Sequence, residues 1–428
     1  MRSLTRILTT IGCLAISASA FAAGFSIFEQ GAKATGMAGA FVATADDPSA
    51  IFYNPAGLAQ QRELSVLAGA TFINFTNEFT GDPNSLYTAG AEGKYDRHTF
   101  VPPNAYAIVP FGSNLTFGIG VFSAWGLRTD WHDPWVGRFI SRDADLKTMS
   151  VQPTIAWQTS SGNFAVGGGV EYRRARVILN QNIPLPFPNP FTGRITDIGN
   201  ARLASDYGDD IGWNVGILFK PSDRFRFGAS YRTDMDIELD GDADFTQIPT
   251  GNTQLDAIVG QTFPQDDTIN TTFPFPAVAA VGVAFSPSDR MTVEFDVTHM
   301  TWSRFEALAV DFTNQPARSF VREQNWDDSS AYRLGTNIVA SPNWDVRLGG
   351  VYDENPQPVE SVSPLLPDSD RIGFTFGAGF HSGPFIVDGS AMILHFKDRS
   401  TEGRNPEGFD GTYETDAVLW SINLGYRF

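Results

Sequence analysis

Val418-Leu419-Trp420-Ser421-Ile422-Asn423-Leu424-Gly425-Tyr426-Arg427-Phe428 closes the sequence. Val418, Trp420, Ile422, Leu424, Tyr426 and Phe428 are apolar at every second position, with Ser421, Asn423, Gly425 and Arg427 between them. Such alternation builds a strand with one apolar and one polar face. A bilayer offers no water to an open sheet edge, so membrane strands of this kind belong to closed barrels. The stretch predicts the sealing strand of a transmembrane β-barrel.

The same unit recurs upstream. Ile211, Trp213, Val215, Ile217 and Phe219 alternate with Gly212, Asn214, Gly216 and Leu218, and Pro221-Ser222-Asp223 then supplies a tight turn. Phe225, Phe227, Ala229 and Tyr231 resume the rhythm against Arg226, Gly228, Ser230 and Arg232. A face of arginines and glycines suits a barrel lumen and not a buried soluble strand. Residues 277–285 and 291–297 repeat the pattern around Pro287-Ser288-Asp289.

Extended along the chain, the rule gives fourteen strands, near 64–75, 100–109, 115–128, 147–158, 164–177, 211–219, 225–237, 275–285, 291–303, 331–340, 344–352, 371–380, 385–396 and 416–428. Short turns at 110–114, 159–163, 220–224, 286–290, 341–343 and 381–384 alternate with longer loops. Short periplasmic turns, long outer loops and an even strand count are the habit of bacterial outer-membrane barrels. The fold class is therefore all-β, a 14-stranded antiparallel transmembrane barrel. The terminal aromatic resembles the signal that such chains present to the barrel-assembly machinery.

The other end agrees. Arg2 and Arg6 precede an apolar run over 7–16, and Ala20-Phe21-Ala22 fits an A-x-A cleavage site. Residues 1–22 read as a signal peptide, with the mature chain starting at Ala23. The run is too short for a membrane anchor, and Thr10-Ile11-Gly12 before Cys13 is a poor lipobox. Cys13 is the single cysteine, so the mature chain has no disulfide chemistry. The formal net charge of -18 makes nucleic acid a poor partner. Acidic outer loops could instead meet divalent cations that bridge lipopolysaccharide.

Residues 23–61 do not alternate. Gly31, Gly36, Gly39 and Gly57 lie among small residues, and Asp46-Asp47-Pro48 through Asn54-Pro55-Ala56 is loop-like. Ahead of a barrel over 62–428 this segment reads as a hatch, because a lumen that wide is not filled by side chains alone.

Here the chain resembles the FadL/TodX-type outer-membrane transporters of hydrophobic compounds. The resemblance is carried by Ala23-Gly24-Phe25, by Asp46-Asp47 to Asn54-Pro55-Ala56, by Thr301-Trp302-Ser303-Arg304-Phe305 and by Leu366-Pro367-Asp368-Ser369-Asp370-Arg371. It implies a monomeric barrel plugged by an N-terminal hatch, passing long-chain fatty acids or related hydrophobic compounds by passive diffusion. The ligand would rest in an outer groove, enter a pocket near the mature N-terminus, and leave sideways at a kink in the third strand. Uncharged aromatic or alkane hydrocarbons are the alternative cargo. Each buried methylene contributes about 0.8 kcal/mol, so a sixteen-carbon chain favours apolar sites over water by roughly ten kcal/mol.

The third strand carries a break. Leu115, Phe117, Ile119 and Val121 alternate, and then Ser123-Ala124-Trp125-Gly126 interrupts them. Glycine inside a strand often marks a bulge or bend; ordinary strand termination before Asp130 is the other reading. For the hatch, Asn54, Pro55 and Ala56 are expected to fix its conformation. Phe25, Ile27 and Phe28 are expected to line the pocket. Trp125, Trp131, Trp135 and Phe139 would form the outer groove or an interface belt. The positions where the resemblance expects basic headgroup ligands align with Leu179 and Ser329. Arg173, Arg174, Arg176 and Arg333 lie near as substitutes, with Arg174 and Arg176 the chosen binding residues.

No cofactor or metal is expected, since His98, His132, His299, His381 and His395 have no ligand spacing. An outer-membrane lipid hydrolase is the rival from another class, but no G-x-S-x-G or H-E-x-x-H is present. A general porin is the second rival; it needs no hatch.

Overall fold

The computed structural model describes residues 24–96, 98–185 and 195–428; the expected signal peptide and Ala23 lie outside the described residues. Fourteen antiparallel strands close into a barrel. They are β1 Ser65–Gly81, β2 Pro103–Phe111, β3 Leu115–Phe122 resuming as Gly126–Asp130, β4 Asp143–Gln158, β5 Phe164–Pro184, β6 Gly208–Ser222 and β7 Phe225–Arg232 resuming as Met235–Gln247. Then come β8 Val278–Ser288, preceded by the outer arm Asp267–Phe275, β9 Met291–Met300, β10 Ser329–Ser341, β11 Trp344–Asp353, β12 Arg371–Ser382, β13 Phe385–Phe396 and β14 Gly411–Arg427. Each strand pairs with its neighbour in sequence, and β14 returns to β1, with Ser65 opposite Arg427 and Gly81 opposite Gly411.

The alternation read from the sequence is the alternation of the wall. Trp420, Ile422 and Leu424 are exposed on the outer face, while Ser421, Asn423 and Gly425 turn inward and are buried. Phe117, Ile155, Trp213, Ile217, Phe219 and Phe376 continue the exposed apolar band around the barrel. That band is what lipid requires of a closed sheet. The six short turns stand where the sequence puts them.

The outer ends differ from the expectation. β5 runs to Pro184 and β7 to Gln247, beyond the expected ends at 177 and 237. The segments expected as loops over 178–210 and 238–274 hold a further strand, Asp197–Ser205, and a helix, Thr253–Thr262. Asp197–Ser205 bridges the tips of β5 and β7. The outward face of the β7 extension is polar, as at Glu238, Asp240, Asp242 and Asp244, because past the bilayer it meets water; the lipid-facing rhythm that marks a spanning strand is absent there.

The N-terminal segment fills the lumen. Residues 31–45 are almost wholly buried, with one short helix at Ala32–Thr35, another at Ala50–Tyr53 and a 3-10 turn at Pro55–Gln60. Its backbone is hydrogen-bonded to polar side chains on the inner wall. Asp296 Oδ2 accepts from the amides of Phe41 and Val42 at 2.7 and 2.8 Å, and Glu294 Oε1 accepts from Ala43 at 2.6 Å. Asn423 Oδ1 on β14 accepts from Ala32 at 2.6 Å. Buried amides that cannot pair within a helix or sheet are satisfied this way.

Candidate functional site

The site is built where the start of the hatch meets the broken strand. β3 pairs with β2 as far as Val121 opposite Ala105. Among the described residues, the next bridge between these two arms is Tyr95 with Trp131. Between those points the wall has a gap, bordered by Pro102 and Pro103, which have no amide to donate. The break of β3 falls at Ser123, Ala124 and Trp125.

The backbone groups freed there are taken by the hatch. Gly126 donates its amide to Phe25 O at 3.0 Å, Ile27 donates to Ala124 O at 2.8 Å, and Ser26 bridges Trp125 in antiparallel fashion. Gln30 Nε2 adds a bond to Ser123 O at 2.6 Å. The chain from Gly24 to Gln30 thus acts as a short strand laid against the inside of the break. Gly126 permits the approach: a Cβ there would sit 2.9 Å from both Ile27 Cδ1 and Phe100 Cζ.

Three cavities meet this segment. The largest encloses about 1050 Å³ along the gap and is lined by Phe25, Ile27, Glu29, Phe100, Gly126, Leu127, Leu366, Asp368, Arg371 and Leu394 among others. A second, of about 490 Å³, lies across Phe25, Leu127 and Leu366 from it and is lined by Leu146, Val177, Leu179, Phe273 and Leu308. A third, of about 440 Å³, holds Ser26, Phe28, Phe52, Trp125 and Arg232 in its wall. Phe25 therefore stands between the first two, and Ser26 between the first and third.

Phe25 is the centre of an aromatic cluster. Its ring lies 4.7 Å from Trp302 in an edge-on contact, 5.2 Å from Phe273 and 6.1 Å from Trp125. Such edge-to-face contacts add roughly 0.5–1.5 kcal/mol per pair beyond area burial. The cluster fixes Phe25 without closing the cavities on either side. Gly24 is anchored by its amide, which donates to Asp368 Oδ2 at 2.9 Å. Burial pushes the Asp368 carboxyl up to about 6, against the opposing pull of Arg371 and of the Gly24 and Ser369 amides.

Asn54 sits at the opposite end of the hatch. Its Nδ2 donates to Val42 O at 2.7 Å and to Ile217 O on β6 at 3.0 Å, and its Oδ1 accepts from Ala56 at 3.1 Å. Pro55 opens the 3-10 turn and Ala56 is fully buried within it. Gly216 on β6 leaves the space that Asn54 occupies; a Cβ would collide with the Asn54 side chain.

Several expected binding residues stand elsewhere. Trp131 is stacked on Trp135 at 4.0 Å, inside a buried cluster with Phe79, Phe409 and Tyr413. Neither tryptophan lines any of the three cavities, since their rings are consumed in packing the outer loops together. Phe139 lies under Arg138. Arg174 is exposed, with its guanidinium 4.8 Å from the Tyr207 ring. Arg176 donates Nε to Ser205 O at 2.9 Å. The pair brings no positive charge to the cavities, because strand alternation turns Arg173 inward and Arg174 outward. Arg173 itself is bound to Glu171 at 2.8 Å. Arg333 lies over the Phe28 ring at 4.0 Å and bonds Thr298. Leu179 lines the second cavity and Ser329 is buried at the start of β10. Glu29 and Asp368 were not singled out by sequence reasoning as site residues. Asp368 belongs to the Leu366-to-Arg371 stretch; for Glu29 no pattern marks it.

A family model described as "Outer membrane protein transport protein (OMPP1/FadL/TodX)" matches residues 13–428. The chain belongs to this family. Among curated relatives, the "Long-chain fatty acid transport protein" of Escherichia coli O6:H1 is 25% identical, with 96% of each chain covered. The "47 kDa outer membrane protein" of Pasteurella multocida is 26% identical, covering 99% of this chain and 98% of that one. Among solved structures, a Pseudomonas aeruginosa FadL homologue superposes with a TM-score of 0.81 at 20% identity, over 95% of this chain and 100% of the other. The Ralstonia pickettii toluene transporter TbuX gives 0.68 at 17% identity, over 94% and 100%. The protein is an outer-membrane barrel of the OMPP1/FadL/TodX family.

Proposed function

We propose that the protein carries hydrophobic small molecules across the outer membrane by passive diffusion, with sideways release through the gap between β2 and β3. The observation that carries the reading is the seating of residues 24–30 against the break in β3, between the cavities. A ligand moves from the large cavity only when this segment shifts, and a shift frees the edges of the gap to lipid. A ligand drives that shift by as much as it prefers one arrangement over the other.

Long-chain fatty acids are the first cargo class, by the names of the curated relatives. Uncharged hydrocarbons are the second, by the likeness to a toluene transporter and by the pairing of every cation at the cavities. Phe25, Ile27 and Phe28 act as pocket walls, Asn54-Pro55-Ala56 as the hatch anchor, and Ser123 to Gly126 as the door. The partners are the hydrophobic ligand, outer-membrane lipid with lipopolysaccharide, and the barrel-assembly machinery; the protein works as a monomer and not as an enzyme. Uptake of labelled palmitate and toluene into vesicles carrying the protein tests this. Porin-like conductance of ions in planar bilayers, with no hydrophobe uptake, would overturn it.

A further inference from the structure

The arginines at the three cavities share one property: each already has a carboxylate. Arg371 gives Nε and Nη2 to Asp353 Oδ2 at 3.1 and 2.8 Å. Arg128 lies 3.3 Å and His98 2.6 Å from Asp130. In the third cavity, Arg232 is paired with Glu171. Among the described residues, the second cavity has no cation in its wall.

Among the described residues one carboxylate at these cavities is left without a donor, beside the neutral Asn77 Oδ1 and Thr129 Oγ1, which also lack partners in the wall of the large cavity. Glu29 lines the large cavity. Among the described residues, no side chain donates to its carboxylate; burial pushes that carboxyl up, against the opposing pull of Arg371 and Arg333. Arg371 already answers to Asp353, Asp368 and Glu29 together. A carboxylate ligand would be a fourth anion around that guanidinium, and the unpartnered neutral hydroxyl in this wall, Thr129 Oγ1, would replace only part of its hydration. A hydroxyl has the complementary need. It brings a proton to donate, and a carboxylate is a strong acceptor.

We infer that this cavity selects hydrophobic molecules whose polar end is a neutral hydroxyl, such as long-chain alcohols or alkylphenols, over carboxylates of equal length, with Glu29 accepting the hydroxyl's hydrogen bond. The inference rests on reading the cavity as the ligand site, and it ranks neutral hydroxyl headgroups above the fatty acids that the reading names first.

The test is displacement of an uncharged fluorescent alkyl probe from the detergent-purified full chain by dodecanol, dodecanoate and dodecane. At about pH 9 dodecanoate is ionised. Dodecanol is expected to displace the probe at about tenfold lower concentration than the other two, the worth of a hydrogen bond to a charged acceptor. Glu29→Gln should shrink the preference over dodecanoate, and Glu29→Lys should reverse it. Heat-dependent mobility in detergent gels verifies that each variant is a folded barrel; if Glu29→Lys fails to fold, Glu29→Gln decides alone. Dodecanoate equal to or tighter than dodecanol overturns the inference. So does dodecane equal to dodecanol, or a preference that ignores the folded variants. Failure of all ligands to displace the probe, with no uptake, removes the transport reading itself; uptake with the wrong headgroup order removes the inference alone.

Discussion

The amide of Gly126 is hydrogen-bonded to the carbonyl oxygen of Phe25 at 3.0 Å, so the broken third strand of the wall is completed from inside the barrel by the hatch. Wall and hatch are one hydrogen-bonded system at this point. A perturbation of either should be read out in the other.

Gly126→Leu should block release. Its Cβ would crowd Ile27 and Phe100 at 2.9 Å, and overpacking of this kind costs roughly 1–3 kcal/mol. The barrel should still fold, since the strand ladders of β3 with β4 continue on both sides of the break. Uptake of labelled hydrophobe should fall at least severalfold while gel mobility stays native. Undiminished uptake in a folded variant would refute sideways exit here.

Asn54→Ala should loosen the hatch and spare the barrel. Two donor bonds and one acceptor bond are lost, and the Val42 and Ile217 carbonyls and the Ala56 amide lose their partner. Each buried group left unpaired costs about 1–3 kcal/mol. Hydrogen exchange should speed up over residues 41–58, with β9 and β14 unchanged, and ion leak through planar bilayers should appear. Uniform exchange changes across the barrel would contradict this.

Phe25→Ala should merge the two larger cavities. Removing a buried phenylalanine costs about 3–5 kcal/mol, here charged to the seating of residues 24–30. Stoichiometry or size tolerance of bound hydrophobe should rise, visible by native mass spectrometry, while specific retention weakens. An unchanged ligand profile would show that Phe25 does not divide the cavities.

Asp368 predicts a pH effect of definite sign. Burial raises its carboxyl from the ordinary 3.8 to about 6, so the folded state binds the proton more tightly than the unfolded chain. Stability at this site is therefore highest below about pH 4 and falls as pH rises to about 6, where the buried group ionises. Asp353 opposes ionisation, while Arg371 and the Gly24 and Ser369 amides favour it. Asp368→Asn should be the less stable form near pH 4, having lost an acceptor for one amide, and should gain relative to the parent as pH rises. Thermal unfolding at several pH values measures this; parallel curves for the two proteins would disprove it.

What the sequence revealed follows from what lipid demands. The spanning strands and the six tight turns were legible because every second residue must be apolar where the wall meets hydrocarbon, as from Ile211 to Phe219. The outer extensions to Pro184 and Gln247 were not, because water imposes no such rhythm. At the site, the break after Phe122 showed itself through lost alternation. The partner that fills it did not, since Ser26 pairs with Trp125 across a separation no local pattern spans. Arg174 and Arg176 stand away from the cavities, and a run of arginines hides which one alternation turns inward. Glu29 was invisible because a lone acid becomes meaningful only when its neighbours are seen to be paired elsewhere.

The seam between β1 and β14 has a consequence for biogenesis. Asn423, on the strand that completes the ring, holds the amide of Ala32. The plug, though made first, cannot be fully docked until the last-made strand arrives. Maturation must then run as a cylinder shutting around a waiting stopper, so an intermediate stalled before closure would be leaky as well as unfinished.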